Sequence, residues 1–248
     1  MSDRRHVFYG VILLVIGVAF IVIGLSACSA SLKVTNTDPT SGTPTPTAAG
    51  RTVVTAKVKS LPIFSKPFDA HPVQRLDHPN ADGAPLVFLT KGQQAGWYHV
   101  LLPVPPNGST GWVRASDVVP SSTQFRVEVR TRGHQLLVYR GGQRLLATKA
   151  GIGTKDTPTP GGEYFITELI KTPDPGGPYG PYAYGISGQS TVLKSFNGGP
   201  PVIGIHGTND PAKLGHDVSH GCVRVDNVAI TKLAKLLPLG TPVDIIDG

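Results

Sequence analysis

Phe125-Arg126-Val127-Glu128-Val129-Arg130 alternates apolar and charged side chains, the period-two pattern of a strand with one buried and one wet face. The segments that follow continue in the same idiom. Leu136-Leu137-Val138-Tyr139, the Gly141-Gly142 pair and Leu145-Leu146-Ala147-Thr148 read as a hairpin. Gly151-Ile152-Gly153 and Thr157-Pro158-Thr159-Pro160-Gly161-Gly162 form a turn-rich connection into Tyr164-Phe165-Ile166-Thr167, another strand. Thr172 to Gly185, rich in Pro, Gly and Tyr, is expected to be a long loop. Asp226 or Asn227 caps a helix bearing Val228, Ile230, Leu233, Leu236 and Leu237, and Pro238 with Gly240 stops it. Thr241-Pro242-Val243-Asp244-Ile245-Ile246 closes the chain as a last strand.

Upstream, Thr52 to Val119 reads as a small all-β unit. Val53 to Val58, Pro85 to Leu89 and Trp97 to Leu102 are strand-like, and Pro106-Asn107-Gly108 supplies a turn before Thr110-Gly111-Trp112-Val113-Arg114. Short strands at this spacing suit a compact barrel. The Trp-containing strand, the turn and the Gly-Trp-Val-Arg strand resemble a bacterial SH3-like wall-associated domain. That resemblance implies either a module that binds wall components or a positioning domain with no ligand of its own. Asn107-Gly108-Ser109 matches a glycosylation sequon, but the turn explains those residues fully.

The 30 Gly and 23 Pro favour short strands and many turns over long helices. A net charge of +7 suits an anionic neighbourhood, a membrane surface or an acidic wall polymer, or serves solubility alone. No basic run interleaved with aromatics is present, which argues against nucleic acid. The only two cysteines are Cys28 and Cys222, at opposite ends of the chain, so a bridge between them is implausible and each calls for another explanation.

The first residues explain one of them. Arg4 and Arg5 precede an uncharged apolar stretch from Val7 to Leu25, followed by small residues. This is the secretory-signal pattern, and the apolar core is also long enough to span a bilayer as a retained anchor. Leu25-Ser26-Ala27-Cys28 resembles the lipobox of bacterial lipoproteins, which implies lipidation at Cys28. Residues 1–27 are therefore expected to be a signal peptide or membrane anchor, and 28–50, rich in Ser, Thr and Pro, an extended spacer. Either route places the protein at the extracytoplasmic face of a bacterial cell membrane, tethered by anchor or lipid.

Two stretches concentrate the reactive groups: Ile203-Gly204-Ile205-His206-Gly207-Thr208 and Ser219-His220-Gly221-Cys222-Val223-Arg224-Val225. A thiol needs deprotonation to attack, and an imidazole within hydrogen-bond reach can supply it. The imidazole needs a partner on its other nitrogen, here a backbone carbonyl such as that of Gly207. Gly221 before Cys222 permits a tight turn, so the amides of Gly221 and Cys222 can converge on a developing oxyanion. The separation of His206 from Cys222 lets a strand exit, loop and return beside itself. A zinc reading of His206, His216, His220 and Cys222 lacks the paired short spacings of structural sites. His216 reads as a solvated loop residue.

The pairing of His-Gly-Thr with Ser-His-Gly-Cys-Val-Arg resembles the signature of the L,D-transpeptidase (YkuD-type) catalytic domain, over roughly half the chain. The resemblance implies Cys222 as acyl-accepting nucleophile and His206 as its base, with no cofactor and no metal. Ser219, His220, Gly221 and Gly207 then line the site, and Arg224, Thr208 and Tyr184 are its substrate-binding candidates. Arg224 could instead pair with Asp226, and Tyr179, Tyr182 and Tyr184 either form a lid or pack an ordinary loop. The implied substrates are peptidoglycan stem peptides, joined 3→3 with release of D-Ala. Two other readings stand beside it: an L,D-carboxypeptidase using water, or a catalytically silent wall-binding scaffold. The expected fold is mainly β, a small SH3-like barrel over 51–120 followed by a β-rich catalytic domain over 123–248 with one or two helices. A monomer is the default.

Overall fold

The computed structural model describes residues 50–196 and 198–248. The expected signal or anchor, the spacer and the lipidation candidate Cys28 lie outside the described residues. Among those described, no helix is long and apolar enough to cross a membrane.

Seven strands come first: β1 (Arg51–Ala56), β2 (Ser60–Ile63), β3 (Gln74–Asp77), β4 (Val87–Gln94), β5 (Trp97–Leu101), β6 (Thr110–Arg114) and β7 (Val118–Thr123). Five of them form a sheet in the order β6-β5-β4-β1-β7, and β2 pairs with β3 as a separate hairpin. A bridge between Phe64 and Trp112 ties that hairpin to β6. The β2–β3 hairpin had no sequence signal, since Pro62 sits within β2 and charged Arg75 and Asp77 within β3.

The second part holds β8 (Phe125–Arg130), β9 (Gln135–Arg140), β10 (Gln143–Gly153), β11 (Gly162–Lys171), β12 (Tyr182–Gln189), β13 (Val202–His206), β14 (Asp217–Ser219) and β15 (Val223–Val225), then α1 (Asn227–Leu236) and β16 (Pro242–Ile246). Its nine-stranded sheet runs β14-β10-β15-β13-β12-β11-β16-β8-β9, and β9 also pairs with β10. The sheet thus closes on itself as a barrel, which leaves few open edges. Mainly β, with a single α-helix among the described residues, is the fold class the sequence implied.

Alternation decides what each strand buries. Val127 and Val129 face the barrel core with Leu136, Val138, Ile205 and Val223. Glu128, between them on the other face, is held by Arg126 and Arg130 at 2.7 Å each. In β11, Tyr164 and Ile166 enter the barrel core, while Phe165 enters the core of the first sheet beside Val54 and Phe88. One strand therefore serves two cores, and each large apolar side chain so buried contributes roughly 1.5–3 kcal/mol. The junction is reinforced by Glu163, which pairs with Arg51 at 2.8 Å and with Lys91.

The helix begins as the sequence predicts. The Asp226 carboxylate accepts from the N–H groups of Val228 (2.8 Å) and Ala229 (3.4 Å), a side-chain N-cap. Ala229, Ile230 and Leu233 form its buried stripe. The expected loop over Thr172–Gly185 is shorter: Tyr182 onward is β12, paired with β11 from Lys171–Tyr182 to Ile166–Ile186.

Candidate active site

Strand register assembles the reactive groups. β13 and β15 run parallel, with Ile205 opposite Val223 and His206 opposite Arg224. Ile205 and Val223 point into the core. Alternation then puts Gly204, His206, Cys222 and Arg224 together on the outer face. The N–H of Gly204 donates to Cys222 Sγ at 3.3 Å. A methyl on Gly204 would stand 3.7 Å from that sulfur and 3.8 Å from His206 Cδ2. Gly204 thus lies against both reactive groups, and its tightest neighbour is the Tyr184 carbonyl oxygen of β12, 3.1 Å from where a Cβ would stand.

His206 is only 4% exposed. Its Nδ1 lies 2.7 Å from the Gly207 carbonyl. A carbonyl only accepts, so Nδ1 carries the proton and Nε2 is the basic nitrogen. Burial holds the imidazole down at a pKa of about 4; the Gly207 bond opposes this, and the Arg224 charge adds to it. Burial likewise pushes the Cys222 thiol above its usual value, while the Gly204 N–H and the Arg224 charge pull it back in part. Both shifts favour an uncharged thiol beside an uncharged imidazole.

The turn carrying Cys222 is clamped from within. Ser219 Oγ donates to the Cys222 carbonyl at 2.5 Å and accepts from the Gly221 N–H at 3.1 Å. Thr159, buried, donates to the Gly221 carbonyl at 2.8 Å and accepts from the Gly153 N–H at 2.8 Å. Gly221 has φ +118°, a conformation that L side chains rarely adopt. The Gly221 amide is therefore spent on its own turn. Ser219 is a buried brace, and Thr159 is a support that sequence reasoning missed, because its partner lies far along the chain.

The other expected residues divide between the cavity and the surface. His220 is exposed and lines the cavity, with Phe196 at 6.3 Å between ring centroids. His216 is exposed on the connection before β14, away from the cavity. Among the described residues no group of three His, Cys, Asp or Glu side chains is gathered as a metal ion would need. Arg224 lines the cavity, and its Nε is buried without a hydrogen-bond partner among the described residues. Asp226 is occupied in capping α1 rather than pairing with it.

Two substrate-binding candidates are corrected. Tyr184 is fully buried, and its hydroxyl donates to the Leu233 carbonyl at 2.7 Å, with Leu237 O at 3.3 Å, fastening the end of α1. It belongs to the core because β12 turns its side chain inward. Thr208 is 3% exposed; its N–H donates to Asn227 Oδ1 at 2.9 Å and its Oγ1 accepts from the Asp210 N–H at 3.0 Å. Those bonds shape the turn after His206 and leave the side chain out of the cavity. Tyr179 does reach the site, its ring 4.8 Å from that of His206. The 172–181 loop achieves this by laying Gly180 on Gly207: a Cβ on Gly207 would come within 3.0 Å of Gly180 Cα.

The resulting cavity holds about 190 Å³. Cys222, His206, His220 and Arg224 provide its reactive side, and Tyr179, Leu193, Phe196 and Pro201 provide apolar walls. A pre-formed, mostly apolar cleft with a few converging polar groups is the ordinary form of a small-molecule or peptide-end site.

The second part of the chain is similar to known proteins. Residues 124–245 match the family described as YkuD, the L,D-transpeptidase catalytic domain. The YkuD protein of Bacillus licheniformis, which carries an L,D-transpeptidase name, is 31% identical over 63% of this chain and 79% of its own length. Its namesake from Bacillus subtilis is 32% identical over 51% of this chain and 68% of its own. Among solved structures, that of Bdellovibrio bacteriovorus Bd1075 is 30% identical with a TM-score of 0.41. That alignment takes in 50% of this chain and about half (48%) of the other.

Proposed function

The chain belongs to the YkuD family of L,D-transpeptidases, and on that premise we propose that it cross-links peptidoglycan stem peptides through a thioester on Cys222. The observation that carries this reading is the shared outer face of β13 and β15, where Gly204 lies against both the Cys222 thiol and a His206 imidazole whose Nδ1–H is held by the Gly207 carbonyl.

Cys222 Sγ attacks the carbonyl between the third residue and the terminal D-Ala of a tetrapeptide stem. Because thiol and imidazole are both uncharged at rest, the proton passes from Sγ to His206 Nε2 as the S–C bond forms. Of the two amides expected to receive the oxyanion, that of Gly221 already serves Ser219; this reading assigns the Cys222 amide to that work. Collapse breaks the C–N bond, and His206 returns the proton to the departing D-Ala amine. An amine on the third residue of a second stem then attacks the thioester, its proton passing through His206 to the released sulfur, and a 3→3 link results. Arg224, which lines the cavity and whose Nε is buried without a hydrogen-bond partner among the described residues, suits a carboxylate of the donor. Residues 51–120 fit an SH3-like positioning module and 123–248 the catalytic domain. Residues 1–27 serve as signal or anchor with lipidation at Cys28, so the work is done at the outer face of the membrane.

The test is mass spectrometry of the protein incubated with a disaccharide-tetrapeptide, beside Cys222→Ala. Loss of D-Ala with a cross-linked dimer, absent from the variant, is the expected result. Loss of D-Ala without a dimer would assign a carboxypeptidase. No change, with Cys222 also inert to a carbapenem, would replace the enzyme with a wall-binding scaffold.

A further inference from the structure

Asn107 sits at the tip of the turn between β5 and β6, in the first sheet, yet its carboxamide grips the backbone of Gln189 in the second. Nδ2 donates to the Gln189 carbonyl at 2.8 Å, and Oδ1 accepts from the Gln189 N–H at 2.9 Å. A peptide group on a neighbouring strand would make the same pair of bonds. Such a strand is missing there, because the ladder of β11 on β12 ends at Ile166–Ile186. The Asn107 side chain completes the edge of β12 that β11 has left.

Gln189 is the root of the connection over residues 190–201. On its other edge it pairs with Val202 of β13. Ser190 closes the neck, its N–H donating to the Pro201 carbonyl at 2.8 Å, and its Oγ accepts from the Leu193 N–H at 3.0 Å. From this connection come Ser190, Leu193, Phe196 and Pro201 of the cavity wall. The turn that bears Asn107 is itself braced: Ser109 donates to the Pro106 carbonyl through both N–H (3.1 Å) and Oγ (2.7 Å), and Gly108 takes φ +82°. An Asn-Gly turn accounts for Asn107 locally, but it does not require the carboxamide to face Gln189.

We propose that Asn107 is a positioning residue: by fixing Gln189 from the first sheet, it sets the wall of Ser190, Leu193, Phe196 and Pro201 against which the acyl donor is seated. This rests on the reading that the cavity receives the stem peptide. The first sheet then has a part in the reaction that is independent of any ligand of its own.

The experiment uses the full chain with Asn107→Ala, Asn107→Asp and a control, Thr90→Val, which removes a 3.0 Å bond from Thr90 Oγ1 to the Thr52 carbonyl within the first sheet. Three quantities are read: amide hydrogen exchange over residues 187–203, KM and kcat for the disaccharide-tetrapeptide, and alkylation of Cys222 by iodoacetamide. In Asn107→Ala, exchange over 187–203 should rise about tenfold and KM about fivefold, with kcat and alkylation within about twofold of wild type. Asn107→Asp, which keeps the acceptor and loses the donor, should fall between. Thr90→Val should move none of them. Unchanged exchange in Asn107→Ala overturns the proposal. So does a parallel fall of kcat and alkylation in both Asn107→Ala and Thr90→Val, since that is general destabilisation. If the wild type does not turn over the stem, the functional reading falls instead, and the exchange data still decide whether Asn107 roots the wall.

Discussion

Replacing His206 with Gln removes a buried titratable group and so changes how stability depends on pH. The imidazole has an ordinary pKa near 6.5 in the unfolded chain and about 4 in the fold. A group with a depressed folded pKa lends stability that is full above 6.5 and is lost as pH falls toward 4, because the unfolded chain takes up the proton first. The loss amounts to about 2 kcal/mol by pH 5 and about 3 kcal/mol by pH 4. Glu128 and Glu163 sit below their usual carboxylate range, held there by Arg126 and Arg130, and by Lys91 and Arg51 respectively, against the cost of burial. Their stability is lost at the acid end, below the ordinary carboxylate value. His99 is also lowered, by burial and Lys91. All three are present in both proteins, so the difference between wild type and His206→Gln isolates one histidine. The assay is urea unfolding at a series of pH values from about 7.5 to 4. The difference in unfolding free energy should shift by about 2 kcal/mol between neutral pH and pH 5, in favour of the variant, on top of any constant offset from lost packing. A flat difference would refute the reasoning. It would mean that His206 takes up its proton in the fold at the same pH as in the unfolded chain.

Two further substitutions separate bracing from chemistry. Gly221→Ala should destabilise by about 1–3 kcal/mol, because φ is +118° and the added methyl would meet Ile203 Cδ1 at 3.0 Å; thermal unfolding and Cys222 alkylation should both show it, and an unaltered Tm would discard the strained-turn argument. Tyr184→Phe should cost about 0.5–1.5 kcal/mol by removing one of two donors to the Leu233 carbonyl, which keeps the Leu237 N–H at 2.9 Å, while KM and kcat stay at wild-type values; a raised KM in a stable variant would restore Tyr184 to the substrate.

The elements that the sequence announces are those whose cause is local. The Phe125–Arg130 alternation, the hairpin around Gly141-Gly142 and the Asp226 cap depend on residues within a few positions of each other, and the structure has all three. The reactive pair was legible for another reason, since thiol, imidazole and Gly221 are chemically unusual neighbours whatever the fold. What stayed hidden depends on pairing across the chain. Tyr182-Ala183-Tyr184-Gly185 falls in the Thr172–Gly185 stretch read as loop from its Pro, Gly and Tyr content, yet Gly185, and Gly188 beyond it, each make room for a partner that sequence does not identify. A Cβ on Gly188 would lie 2.8 Å from Tyr164 Cε1, and one on Gly185 would lie 2.9 Å from Glu168 Cγ, so β12 can pass only without side chains there. The same reasoning reaches the site. Only the register of β13 with β12 and β15 shows that Gly204 packs on the Tyr184 carbonyl and lies against both thiol and imidazole. Gly180 on Gly207 places Tyr179 over the histidine in the same manner. In this chain the reactive groups are written in the motif, and the close approaches of the elements that carry them are written in glycines whose purpose appears only once the strands are paired.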